Sequence, residues 1–421
     1  MKNPVAAIFA PRLWLSILFL LFMAGYAKAD AVEKASEWSF QTGFDNWRLS
    51  PSTTTDFIPK WDDTNSNLLQ ANAFTKWHYQ NTSPFAIVSG NTYLTRDVSV
   101  SLKARADQQM GTRVDELSVQ WELSPKLGFR AGVVDYKTSW CRTYETDSPW
   151  MREIDGLCVT PQYRDVTGGA PGAQAYTNSE WGDYRIQTLV GFYNPLWLNY
   201  APLEFGNIVP PGNYQVLSNK KLGLNLSAIN LYTGLEFKFS YLHADQTAYS
   251  PPPDGGSVNS QQSQDMYYAG VSFPLASKLK LTLTQSYRDL NQTARIQTGL
   301  TSCPPDLACN YDSSSKYRSK TAELIYQLDP KNQFGLAYSN TNIRLAQNFY
   351  DTPITPTVYE NPDYIHISTR LAGLTWRHDW SRGVFTILEY IHSNALSAGD
   401  QNLYYLNSYG SAVGFRLGYK F

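Results

Sequence analysis

Catalysis needs side chains of suitable type within reach of one another, and this 421-residue chain offers few such groupings. Its five histidines are His78, His243, His366, His378 and His392. A serine hydrolase would need one of them beside a nucleophile and an orienting partner. No Gly-x-Ser-x-Gly elbow occurs. His392 and Ser393 are adjacent, so a strand would place them on opposite faces. There is no His-Glu-x-x-His. Neither catalysis nor a metal or other cofactor is expected. The four cysteines, Cys141, Cys158, Cys303 and Cys309, are even in number, which in an exported chain suggests disulfides. The sequence-local pairing Cys141–Cys158 and Cys303–Cys309 is one of three possibilities, preferred because each pair falls inside one long loop. Cys303 and Cys309 have an unusual spacing for metal ligands and no nearby His.

The remaining candidates are charges on alternating segments. The polar faces carry the bases Lys103, Arg105, Arg130, Arg185, Arg288 and Arg416, and the acids Glu116, Glu122, Glu236, Glu323 and Glu389. Rings of such charge along a wet wall set ion preference. The segments themselves have period two. Val98, Val100, Leu102 and Ala104 oppose Ser99, Ser101, Lys103 and Arg105. Leu117, Val119, Trp121 and Leu123 oppose Glu116, Ser118, Gln120 and Glu122. Leu235, Phe237, Phe239 and Tyr241 alternate with Glu236, Lys238 and Ser240. Alternation makes strands with one apolar and one polar face, as in a soluble sandwich or, inverted, in a membrane barrel.

The two ends choose between them. Lys2 and Arg12 precede an apolar run from Leu13 to Met23, and Ala27-Lys28-Ala29 is a small-x-small cleavage site. Residues 1–29 are therefore expected to be a secretory signal peptide, with residues 30–421 as the mature barrel. At the other end, Val413, Phe415, Leu417, Tyr419 and Phe421 alternate with Gly, Arg and Lys. Phe415, Leu417, Tyr419 and the terminal Phe421 match the signature read by the barrel-insertion machinery of bacterial outer membranes. A mean hydropathy of -0.37 fits, because only every second strand residue is apolar. The 29 tyrosines and 12 tryptophans suit interfacial girdles. The balance of 35 basic and 36 acidic residues gives no reason to expect nucleic acid as a partner.

Connection lengths alternate as well. Short ones include Ser124 to Lys126, Leu275 to Ser277, Asp329 to Asn332 and Asp379 to Gly383. Long ones run from Ser50 to Asn67, Thr138 to Gly182, Tyr249 to Gln262, Asn291 to Lys316 and Asn348 to Pro362. The fold expected is all-β: a transmembrane antiparallel barrel of about sixteen strands, with fourteen or eighteen as alternatives. Gln80 to Asn91 is taken as a connection, and Leu196 to Phe205 as a strand.

The runs Val114 to Tyr136, Lys220 to Asp245, Met266 to Arg288 and Leu371 to Tyr390 resemble hairpins of the general porins of Gram-negative outer membranes. The resemblance implies a sixteen-stranded channel, commonly a homotrimer, embedded among outer-membrane lipid and lipopolysaccharide. It implies that the third external loop, Thr138 to Gly182, folds inward and narrows the pore. The constriction then comprises Lys103, Arg105, Arg130 and Arg416 on the wall, with Glu145, Asp147, Arg152, Glu153 and Asp155 on the loop. Bases facing acids would create a transverse field acting on small hydrophilic solutes. A Cys141–Cys158 disulfide would stiffen that loop. Two other functions stay open: a channel specific for a sugar or organic anion, and a barrel anchoring surface loops as an adhesin or scaffold. An aromatic sugar slide finds only Tyr268 on a polar face.

Overall fold

The computed structural model describes residues 36–56, 75–76, 79–107, 111–134, 148–151, 170–193, 215–250, 257–298, 310–350, 363–399 and 405–420. The strands are β1 (Glu37–Asp56), β2 (Thr75–Lys76), β3 (Tyr79–Tyr93), β4 (Val98–Asp107), β5 (Gly111–Ser124), β6 (Leu127–Val134), β7 (Ala170–Trp181), β8 (Tyr184–Tyr193) and β9 (Gln215–Asn230). They continue as β10 (Glu236–Ser250), β11 (Ser257–Ala276), β12 (Leu279–Thr298), β13 (Asn310–Asp329), β14 (Asn332–Tyr350), β15 (Asp363–Asp379), β16 (Val384–Gly399) and β17 (Tyr405–Lys420). The two-residue β2 pairs with β1 at Ser52 and Thr53, in line with β3, so the barrel has sixteen staves. Each stave pairs antiparallel with its sequence neighbour, and β1 closes the circle against β17, from Gln41↔Lys420 to Asp56↔Tyr405. Closure satisfies edge groups that lipid could not hydrogen-bond.

Period two becomes inside and outside. On β12 the even residues from Thr282 to Leu290 are buried and face the lumen, while Leu283 and Gln285 are exposed outward. Val413, Phe415, Leu417 and Tyr419 likewise point outward on β17 with 41–52% exposure, and Ala412 and Arg416 point in. Phe421 lies outside the described residues. Outward Phe237, Phe239, Leu283, Leu336, Leu374 and Leu388 continue an apolar band around the barrel. Strands of 20 residues, such as β11, β12 and β13, exceed the ~9–11 needed to span a bilayer, so they stand above that band.

The short-turn rim is set by side chains that cap local N–H groups. Ser124 Oγ accepts from Lys126 N and Leu127 N, Asn230 Oδ1 from Tyr232 N and Thr233 N, and Asp329 Oδ1 from Lys331 N and Asn332 N. Gly383 turns the chain into β16 at φ 80, and a Cβ there would strike the Lys420 carbonyl.

The long connections are shorter than expected, because β1 runs on to Asp56, β11 starts at Ser257, β12 runs to Thr298, β13 starts at Asn310 and β14 runs to Tyr350. Two whole segments also depart from expectation. Tyr79–Tyr93, taken in part as a connection, is a strand, and Ala170–Trp181, placed in the third loop, is β7. The cause is the same in both: alternation is weak. β3 carries Phe85 and Ile87 on its lumen face, while β7 carries small or polar residues outward, such as Ala173, Ala175 and Ser179, until Trp181 at its end. Leu196 to Phe205, the signal peptide at 1–29 and all four cysteines lie outside the described residues.

Candidate pore constriction

The connection expected to be the third external loop leaves β6 at Val134 and rejoins the wall at Ala170. Four of its residues, Ser148, Pro149, Trp150 and Met151, are described, and all are buried. They sit inside the barrel, against β13, β15 and β16. Trp150 Nε1 donates to Glu323 Oε1 at 2.7 Å, and the Met151 backbone N–H donates to Glu389 Oε2 at 2.7 Å. Arg377 donates through an Nη to the Ser148 carbonyl at 3.0 Å, and Thr375 Oγ1 donates to the Pro149 carbonyl. The wall makes room with small residues. Trp150 packs with Ala337, and a Cβ on Gly335 would lie 2.9 Å from its ring. Met151 joins a lumen cluster of Phe85, Ile87, Phe385, Ile387, Ile391 and Ala412. A second apolar cluster, Val134, Tyr193, Leu242, Met266 and Tyr268, lies where the loop departs.

Energetically this contact is a latch. Glu323 and Glu389 are 4% and 2% exposed, a position that is costly for a carboxylate unless it is hydrogen-bonded. The loop supplies an indole N–H to one and a backbone N–H to the other. Charge-assisted bonds of this kind are stronger than neutral ones. Arg377 is held in turn by Asp379 at 2.8 Å and by the ring of Phe385, 4.8 Å from its guanidinium carbon.

The expected basic residues are spread around the wall. Arg130 on β6 lies 3.2 Å from Glu116 and donates to Gln120 Oε1 at 2.8 Å. Gln120 Nε2 donates to Tyr176 Oη at 2.9 Å. Lys103 pairs with Glu116 in the ladder between β4 and β5. Arg105 lies on the same strand at the level of Ile87. Arg416 is 4% exposed, bound to Asp45 at 2.7 Å through two nitrogens and stacked 4.6 Å above Phe85. It is set into the wall beside the apolar cluster. Glu145, Asp147, Arg152, Glu153 and Asp155, the expected loop half of the constriction, lie outside the described residues.

The latch was not foreseen. Glu323 and Glu389 were recognised as lumen acids, but nothing local to Ser148-Pro149-Trp150-Met151 shows which wall it meets. Along the β5–β10 wall, toward its short turns, lies a cavity of about 470 Å³ lined by Gln120, Glu122, Arg130, Tyr176, Asn225 and Lys238 among others. Among the described residues there is no grouping of three His, Cys, Asp or Glu able to hold a metal.

No protein-family model matches the chain. No curated protein matches it either. Solved structures do. The outer membrane channel DcaP of Acinetobacter baumannii aligns with a TM-score of 0.50 at 10% identity, over 93% of this chain and 99% of that one. The fold is that of an outer-membrane channel barrel. Other porin barrels align at lower scores. The anion-selective porin from Comamonas acidovorans has a TM-score of 0.45 and 12% identity, over 92% of this chain and all (100%) of that one. OprB of Pseudomonas putida has a TM-score of 0.43 and 9% identity, over 91% and 94%. At these identities the likeness is one of fold.

Proposed function

We propose that the protein is an outer-membrane porin: a water-filled channel through which small hydrophilic solutes and ions diffuse passively. The observation that carries this reading is the docked loop. Ser148 to Met151 is bound against one side of the lumen, and a polar cavity lies along the other. A plugged anchor would need no such space. The outward apolar band and the polar inner wall suit a barrel in lipid, with the short turns at one interface and the long loops at the other. Export by a cleaved leader at 1–29, insertion through the Phe415–Phe421 signature, contact with lipopolysaccharide and assembly as a trimer belong to the same proposal. No chemistry beyond passage is assigned to it.

The experiment is single-channel current through the refolded chain 30–421 in a planar bilayer under a salt gradient. A stable conductance with a measurable reversal potential is expected. A folded barrel that leaves the membrane closed would overturn the channel reading and favour a surface anchor.

A further inference from the structure

We infer that the cavity on the β5–β10 wall is a binding site for a neutral polyhydroxylated solute, sugar-like in chemistry. The inference rests on the channel reading and names the solute class that the lumen would hold on its way through. The volume of about 470 Å³ falls within the ~300–1,000 Å³ usual for small-molecule sites.

The charges in the lining cancel. Glu122 and Glu236 face Arg130 and Lys238 around one space, so neither an anion nor a cation is favoured by net field. Arg130 is also bound to Glu116, behind the lining, at 3.2 Å and to Gln120 at 2.8 Å, which makes it a poor partner for a solute carboxylate. The rest of the polar lining is amide and hydroxyl, from Gln120, Asn178, Gln187, Asn225, Ser124, Ser227 and Tyr176.

The lining is also held in place. Gln120 is fixed between Arg130 and Tyr176 by bonds of 2.8 and 2.9 Å. The lining also offers donors and acceptors side by side: Lys238 donates, Glu122 and Glu236 accept, and the amides and hydroxyls do both. A carboxylate can only accept and an ammonium can only donate, whereas a hydroxyl does both. A solute carrying several hydroxyls answers both kinds of group at once. Tyr176 and Leu189 lie opposite each other in the ladder between β7 and β8 and line the same space. They offer the apolar surface that the C–H face of a sugar ring needs.

Calorimetric titration of the detergent-folded protein with maltose, glycine and succinate tests this. Saturable heat is expected with maltose and not with glycine or succinate. Asn225→Leu should weaken maltose binding about tenfold, the loss of a hydrogen bond in a desolvated site. Ser339→Ala, on the opposite wall, should leave it unchanged. Tyr176→Leu gives the same reading should Asn225→Leu not fold. No saturable heat from folded wild-type protein, tighter binding of glycine or succinate, or full maltose affinity in both cavity variants would each overturn the inference. The bilayer measurement run in parallel separates the two readings. Open current without maltose binding sinks the site alone, and maltose binding without current sinks the channel alone.

Discussion

At the scale of single residues, the lumen is governed by the pairing of buried charge. Glu323 and Glu389 hold the inward loop because that loop carries N–H groups to them. Trp150→Phe keeps the ring and removes the donor to Glu323. The lost charged hydrogen bond costs about 1.5–3 kcal/mol. The loop should then detach part of the time. In liposome-swelling assays the variant is expected to admit larger solutes than the wild type, and equal size cut-offs would refute the latch. Arg416 and Asp45 form a pair of another kind, bridging the seam where the barrel closes. Asp45→Ala leaves the guanidinium buried without its carboxylate, which costs on the order of 3–5 kcal/mol. Denaturant unfolding from lipid vesicles should show that loss, and Asp45→Ala combined with Arg416→Met should recover most of it.

At the scale of elements, each strand meets two solvents, and substitution should respect the parity. Leu374 on β15 points outward at 54% exposure, while its neighbour Thr375 is fully buried against the loop. Leu374→Arg places charge on the apolar band at a cost of roughly 2–4 kcal/mol if it lies near the bilayer midplane. Lys238→Ala, on the lumen face, should leave barrel stability within about 0.5 kcal/mol and shift the reversal potential instead. The loop needs a wall with a recess. Gly335 supplies it, since a side chain there meets Trp150 at 2.9 Å and Thr375 at 2.7 Å. Gly335→Val is expected to mimic Trp150→Phe in the swelling assay with little change in the strand ladder. Its conductance should be noisier, as an undocked loop visits the lumen.

At the scale of the molecule, closure is cooperative, because β17 is hydrogen-bonded to β16 on one side and β1 on the other. Deleting residues 405–420 exposes two edges that lipid cannot satisfy. The truncated chain should fail to yield the compact, heat-modifiable band of a folded barrel on a cold detergent gel. A truncated chain that still migrates as a folded barrel would show that closure does not depend on β17. The lumen is also one-sided. The loop and its apolar contacts fill the β13–β16 side, and the polar space lies along β5–β10. Solute selectivity is therefore expected to respond to substitutions on β5 to β10 and pore size to those on β13 to β16.

Period-two alternation was enough to reveal strands with one apolar and one polar face, and the expected leader and the aromatic last strand were needed to read those strands as a barrel. β12 and β17 are legible in this way from their own residues. β3 and β7 were not, because Phe85 and Ile87 serve an apolar cluster inside the lumen and most of β7 has small or polar side chains outside. The charges that line the wall were visible by parity. Their partners were not, since Trp150 and Glu323 are 173 positions apart and Arg416 and Asp45 are 371. A sequence records which face a residue takes, because that is set by its immediate neighbours. Which residue it meets across the lumen depends on the closed circle of sixteen staves and on where one loop folds back inside it.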